Sequence, residues 1–331
     1  MRIALNGKAY LKKGSLVGLL FFLCISLPAE SESAPSPGAI TSLTTASVSD
    51  VSAELHGYPL EEDAFKRVMV GVHVNGVGPF PFIIDTGASR SIIYRSLTAM
   101  LKLEAIPFQS RNIITANGYR RALIYPIGDI FALGRTLQIA ETVALPDIPG
   151  SSAKGLIGVD LLSGRILHVR PQASLAELVT DSHVFDGPAW TAVQGRPVAY
   201  GSLALSVEIG GVTVPVVVDT GASDTVINKA GAETLLRAAS GVRSEKTTAV
   251  VARGRAVARE KLILPNFSLG SKSFEDTRIY VADVPVFRLL GASKVPAIIL
   301  GMNVLKQQDF AIDFAAWRLY LHTNAAADLA N

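Results

Sequence analysis

Two carboxylates in this chain sit in the same pentapeptide. Asp85-Thr86-Gly87-Ala88-Ser89 follows Phe82, Ile83 and Ile84, and Asp219-Thr220-Gly221-Ala222-Ser223 follows Val216, Val217 and Val218. Each copy puts an Asp at the end of a strand apolar enough to be buried, on a turn that glycine permits. Two carboxylates held about 3 Å apart cannot both ionise, so they share one proton over a broad pH range. The ionised member can take a proton from a water held between them, while the protonated member donates to a carbonyl and stabilises the oxyanion that develops. Such a pair titrates as a unit, and no separate constant belongs to either Asp. One such turn is common in ordinary β proteins; two identical copies carry the signal.

The elements that must position these residues repeat as well. Before Asp85, Val70-Gly71-Val72-His73-Val74 alternates like a strand, Asn75-Gly76 signals a hairpin, and residues 80–84 return. Before Asp219, Leu203–Ile209 alternates, Gly210-Gly211 turns, and residues 214–218 return. Downstream, Gly155-Leu156-Ile157-Gly158-Val159-Asp160-Leu161-Leu162 matches Ile298-Ile299-Leu300-Gly301-Met302-Asn303-Val304-Leu305. Each predicts a buried strand, a glycine (Gly158, Gly301) and a short apolar helix. Closing strands follow at 166–169 and 310–314, with a last strand at Arg318–His322. His168 is read as standing where the second half has Asp313.

An Asp-Thr-Gly after an apolar strand, followed at a distance by this Gly-helix element, resembles the aspartic proteases, and most closely the retropepsin-like group in its bacterial exported form. The resemblance covers nearly the whole chain after the leader. It implies an all-β fold, mainly β with short helices, of two similar acid-protease barrel lobes related by a pseudo-two-fold axis. It implies an aspartic endopeptidase with Asp85 and Asp219 as the catalytic pair and no metal or other cofactor. Thr86 and Thr220 would cross-bond to the opposite lobe's backbone, with Gly87, Ala88, Gly221 and Ala222 supporting the pair. Thr115, Ala116, Asn117, Gly118 and Tyr119 resemble a substrate-covering flap, and Arg253 and Gly254 stand at its counterpart. A protein or peptide is the implied substrate and a monomer, a fused pseudo-dimer, the implied state. Ala88 and Ala222 stand where pepsin-like enzymes carry a hydroxyl that bonds the carboxylates, so a less extreme acid optimum is expected.

The whole chain fits this reading. With 331 residues, 49% hydrophobic and 28 glycines, it is far from disordered composition. A formal charge of +3 is too small to argue for nucleic acid. Arg2, Lys8, Lys12 and Lys13 precede a dozen apolar residues from Leu16 to Leu27, the pattern of a secretory signal and short of a membrane span. The expected organisation is a signal peptide (1–33), a flexible Ser/Thr/Pro-rich lead (34–64), a first lobe (65–178), a linker (179–197), a second lobe (198–323) and a tail (324–331). The product is exported, periplasmic or secreted, without a stable membrane span once the signal is removed; an uncleaved anchor is the alternative. Cys24 is the lone cysteine, inside that leader.

Other features have blander readings. His56, His73, His168, His183 and His322 show no metal-ligand spacing. Gly76-Val77-Gly78 lacks the rest of a dinucleotide loop. The basic residues Arg237, Arg243, Lys246, Arg253, Arg255, Arg259 and Lys261 read as a solvated face, with an acidic partner as the alternative. For the fold itself the alternative function is a catalytically degenerate peptide-binding protein, whose mark would be loss of one Asp; neither is lost.

Overall fold

The computed structural model describes residues 23–24, 57–115, 118–198, 201–251 and 256–323. The expected leader, apart from Leu23 and Cys24, lies outside these residues, as do most of the lead, the tail, and the hairpin residues Ala116, Asn117, Arg253 and Gly254. Leu23 and Cys24 pair antiparallel with Ile114 and Ile113. Strands make up 50% of the described residues and helices 13%, which places the chain in the all-β class with two lobes.

Each lobe opens on a tight hairpin. Val68–Val74 turns into Val77–Ile84 through Asn75 (φ 51) and Gly76 (φ 73), and Leu203–Ile209 turns into Val212–Val218 through Gly210 (φ 54) and Gly211 (φ 85). Left-handed backbone at both turn positions is the two-residue loop whose twist matches the flanking strands, and Asn or Gly accepts it at little steric cost. The returning strands end fully buried and run parallel to a second strand, with Ile84 opposite Ile157 and Val218 opposite Leu300. Continuous apolar runs are what strands covered on both faces require.

The barrels close differently. In the C-terminal lobe the long strand Ala256–Leu269 reaches back to the first strand, pairing Glu208 with Ser268 and Ile209 with Phe267, so six strands form a closed ring. In the N-terminal lobe the equivalent strand stops at Pro126, and a separate strand, Asp129–Ala132, makes the closing contacts His73 to Phe131 and Val74 to Ile130. Pro126 has no N–H to give a ladder. The break is held by Asn75, whose Oδ1 accepts from Gly128 N at 2.8 Å and Asp129 N at 3.1 Å.

A six-stranded antiparallel sheet joins the lobes, in the order Tyr58–Glu62, Leu175–Val179, Ile166–Arg170, Phe310–Asp313, Arg318–His322, Trp190–Gln194. Three of the sequence expectations change here. The end of the lead, read as flexible, is the strand Tyr58–Glu62. The stretch read as a plain linker supplies a 3-10 turn, Ser182–Phe185, and the edge strand Trp190–Gln194. His168 pairs with Ala311, and Asp313 lies opposite Ile166. The match of His168 to Asp313 was therefore out of register; counted from Gly158 and Gly301, His168 and Ala311 are equivalent. One continuous apolar core runs from Val68 through Leu167 and Ile312 into the second barrel, so the lobes share an interior.

The helix Lys229–Ala238 was not expected from the repeat. Its buried N-cap Asn228 accepts from Gly231 N and Ala297 N and donates to the carbonyls of Ala292 and Val295, so one amide satisfies four backbone groups.

Candidate active site

Asp85 and Asp219 enter the site by the same route. Asp85 N donates to Ile157 O at 2.9 Å and Asp219 N to Leu300 O at 3.0 Å, so the parallel strand pair continues into each loop. The loop then turns back. Gly87 N donates to Asp85 Oδ1 at 3.1 Å, and Gly221 N to Asp219 Oδ1 at 2.8 Å. Ala88 N and Ala222 N donate to the carbonyls of Asp85 and Asp219, and the carbonyls of the two alanines accept from Val159 N and Met302 N at the start of the short helices. The carboxylates are thereby oriented by backbone donors on structure that is itself fixed.

The loops meet through Thr86 and Thr220. Thr86 Oγ1 donates to Val218 O at 3.1 Å, and Thr220 Oγ1 donates to Ile84 O at 2.6 Å. In return Thr86 N donates to Thr220 Oγ1 and Thr220 N to Thr86 Oγ1, both at 3.1 Å. Each hydroxyl thus receives one bond from the opposite lobe and gives one to it. Both threonines are at most 1% exposed, and Asp85 and Asp219 are 2% and 1% exposed. Away from water such bonds are expensive to break, because a lone partner stays desolvated.

The carboxyl group of Asp85 lies against the other lobe's loop. A Cβ on Gly221 would fall 2.4 Å from Asp85 Cγ and 2.5 Å from its Oδ1. Any side chain at position 221 would displace the carboxylate, so glycine is required there for space.

Behind each loop is a matched lock. Ser91 N and Oγ donate to Asp160, and Ser91 Oγ accepts from Gly158 N. Thr225 N and Oγ1 donate to Asn303 Oδ1 at 2.8 and 2.7 Å, and Thr225 Oγ1 accepts from Gly301 N at 3.1 Å. Gly158 and Gly301 have extended backbone, so their role is close approach. A Cβ would lie 2.4 Å from the carbonyl carbon of Arg90 in one case and 2.6 Å from that of Asp224 in the other. Sequence reading found the glycines but missed Ser91 and Thr225. The available signal was a hydroxyl residue six places after each Asp. Burial raises the Asp160 carboxyl above its ordinary value, against the lowering effect of the Ser91 donors. Burial also raises Asp224.

The structure therefore brings Asp85, Thr86, Gly87, Ala88 and Gly158 together with Asp219, Thr220, Gly221, Ala222 and Gly301. The expected flap is a hairpin of Ser110–Thr115 and Gly118–Pro126, with Thr115 opposite Gly118 across the turn; Thr115 is buried and Tyr119 is 74% exposed. Its counterpart is the hairpin of Arg243–Val251 and Ala256–Leu269, with Val251 opposite Ala256. Among the described residues no helix is long and apolar enough to cross a membrane.

A protein-family model described as aspartyl protease matches residues 70–161 and matches again over residues 205–304, once in each lobe. No curated protein matches the chain.

Proposed function

The chain belongs to the aspartyl protease family, and on that premise we propose that it is an endopeptidase whose catalytic pair is Asp85 and Asp219. The observation that carries this reading is the reciprocal bonding of Thr86 and Thr220, which ties the two Asp-bearing loops together within one chain. Both halves of an acid–base pair are then supplied without a second subunit.

In the proposed cycle a water lies between the carboxyl groups. The ionised carboxylate removes a proton from it as its oxygen attacks the peptide carbonyl carbon, and the protonated partner donates to the carbonyl oxygen. The resulting diol collapses as the amide nitrogen takes the pair's proton, one diol hydroxyl gives its proton back to the pair, and the C–N bond breaks. One water is consumed, and the pair returns with one proton. Gly87 N and Gly221 N each hold one carboxyl oxygen of the pair, and the burial of both Asp residues strengthens each electrostatic contact. An extended peptide is proposed to lie strand-like beneath the hairpins that carry Thr115 and Tyr119 on one lobe and residues 252–255 on the other. The basic, then apolar, N-terminus supports export to the periplasm or medium.

The test is incubation of the protein that begins after residue 33 with a casein digest and a peptide library, in water enriched in heavy oxygen. The expected products carry one heavy oxygen at the new carboxyl terminus, at a specific rate unchanged on dilution. Intact peptides throughout would overturn the reading in favour of a binding protein, and a rate that falls with dilution would show that the site forms between chains.

A further inference from the structure

The sheet that joins the lobes has a small apolar core of its own on one face, and a histidine stands in its wall. His168 is the central residue of Ile166–Arg170. In the ladder it lies opposite Glu177 on one side and Ala311 on the other, and Ala311 lies opposite Tyr320. The 3-10 turn that follows the first lobe, Ser182–Phe185, lays Phe185 over this face. The Phe185 ring stacks on Tyr320 at 5.0 Å and meets Trp190 edge-on at 4.9 Å. With Ile166, Ala311 and Tyr320 it makes a buried cluster separate from the core shared by the barrels.

The His168 ring meets Phe185 at 5.2 Å and Trp190 at 5.6 Å, both edge-to-face. Its Nδ1 lies 3.0 Å from Glu177 Oε1. Its Nε2 is buried and has no hydrogen-bond partner among the described residues. The neutral ring suits this place, because Nδ1–H donates to the carboxylate and only a lone pair is left unpaired. A proton on Nε2 would create a charged donor with no acceptor and no water. Glu177 Oε1 is already shared with Arg170 Nη2 at 3.5 Å. Arg170 opposes a charge on the ring and Asp309 favours it, each through its field alone. Burial is the largest influence and holds the imidazole below its ordinary value, against the Glu177 bond. Docking of Phe185 is therefore at full strength above the ordinary histidine value and is lost as pH falls through the lowered one.

On the turn itself the electrostatics run the other way. Asp181 Oδ1 accepts from His183 N at 2.9 Å, and His183 Nδ1 lies 2.7 Å from Asp186 Oδ2. The Asp186 bond raises the exposed His183 above its ordinary value. As pH falls, His183 takes its proton first and the turn tightens while the wall beneath it is still neutral. His322 packs edge-on against Trp190 at 5.0 Å. We propose that His168 is an acid-operated latch: its protonation undocks the turn Ser182–Phe185 from the joining sheet, as one rigid lid, and loosens the segment that connects the lobes. The latch acts whether or not the chain cuts peptides. The Thr86 and Thr220 hydroxyls do not titrate in this range, so the junction at the centre stays closed while the connection opens.

Trp190 reports on the latch directly. The chain has two tryptophans, Trp190 and Trp317, so Trp317→Phe in the full chain leaves Trp190 as the sole indole. Between about pH 7.5 and about pH 5, its emission should move to longer wavelength and its quenching by acrylamide should rise at least about two-fold, reversibly, with a midpoint below the ordinary histidine value of about 6.5. The far-ultraviolet circular dichroism should stay constant. His168→Gln should abolish the transition, and His183→Gln should leave it in place. Should His168→Gln fail to fold, Glu177→Gln decides: it removes the carboxylate that favours the charged ring, so the midpoint should move toward acid. No transition in the otherwise wild-type chain would overturn the latch. So would one that survives His168→Gln, one that is unmoved by Glu177→Gln, or one that vanishes with His183→Gln. Loss of circular dichroism in step with the tryptophan signal would show general unfolding and overturn it as well.

Discussion

In the N-terminal lobe Ser91 locks onto an aspartate, and in the C-terminal lobe Thr225 locks onto an asparagine with the same three bonds. The fold needs an acceptor oxygen at that point and is indifferent to whether it belongs to a carboxylate or an amide. Charge is therefore free to differ between lobes where hydrogen-bond geometry is not. The barrels teach the same lesson at larger scale. One long strand in the second lobe and two short strands in the first make the equivalent closing contacts.

The lobes differ most where each begins. The N-terminal lobe is clamped by a buried ion pair between Asp63 and Arg67. Arg67 Nε donates to Asp63 Oδ2 at 3.0 Å, its Nη2 does so more closely, and Ser151 Oγ adds a bond at 3.0 Å. The C-terminal lobe has Pro197 and Gly201 at the corresponding positions. Asp63→Ala should cost about 3–5 kcal/mol in denaturant unfolding, because it leaves the Arg67 charge buried and unpaired. Burial pushes the Asp63 carboxyl up, but the Arg67 hydrogen bond and charge outweigh it and hold the group below its ordinary value. The pair's stability is thus present above the ordinary carboxylate range and lost as pH falls through the depressed value. A wild-type unfolding midpoint in the variant would remove the clamp from the account.

A smaller effect tests the symmetry at the centre. Thr86→Val and Thr220→Val each delete a hydroxyl that accepts one cross-lobe bond and donates another. Each should cost about 2–4 kcal/mol of stability and lower peptidase turnover. Near-equal losses are expected from the matched geometry. A large loss for one threonine and none for the other would show that a single lobe carries the junction.

The smallest effect sharpens the comparison of the locks. The folded state disfavours ionised Asp160, so its stability is full at low pH and declines as pH rises from the ordinary carboxylate value through the raised one. Asp160→Asn, which copies the other lobe, should add about 1 kcal/mol near pH 7 and nothing near pH 3. The reverse exchange, Asn303→Asp, should destabilise near pH 7. Equal effects at both pH values would mean that burial of the Asp160 charge is not what separates the locks.

Much of this was legible in the sequence, for a local reason. The Asp-Thr-Gly loops, the Asn75-Gly76 and Gly210-Gly211 turns and the Gly158 and Gly301 helix starts are set by residues adjacent in the chain. The joining sheet was not legible. Tyr58–Glu62 and Trp190–Gln194 have little apolar alternation; the first becomes a strand between Val68–Val74, close in sequence, and Leu175–Val179, more than a hundred residues away, and the second on the distant edge of Arg318–His322. Asp63 stands at the end of the expected lead and Arg67 at the start of the expected first lobe, so the boundary separated them, although an acid and a base four residues apart were a usable sign. The helix Lys229–Ala238 was signalled by Asn228 as a cap, but the repeat drew attention to what the lobes share, and the first lobe has only the shorter Arg95–Met100 there.

The central claim is that one chain supplies both carboxylates of a single site. Its most direct test is the peptidase rate of Asp85→Asn and Asp219→Asn, each shown to be folded by its circular dichroism spectrum and melting curve. Each substitution preserves shape and removes one ionisable group from the pair. The account predicts that either one alone lowers turnover by at least about a thousand-fold. A folded variant of either kind that retains near wild-type turnover would contradict it.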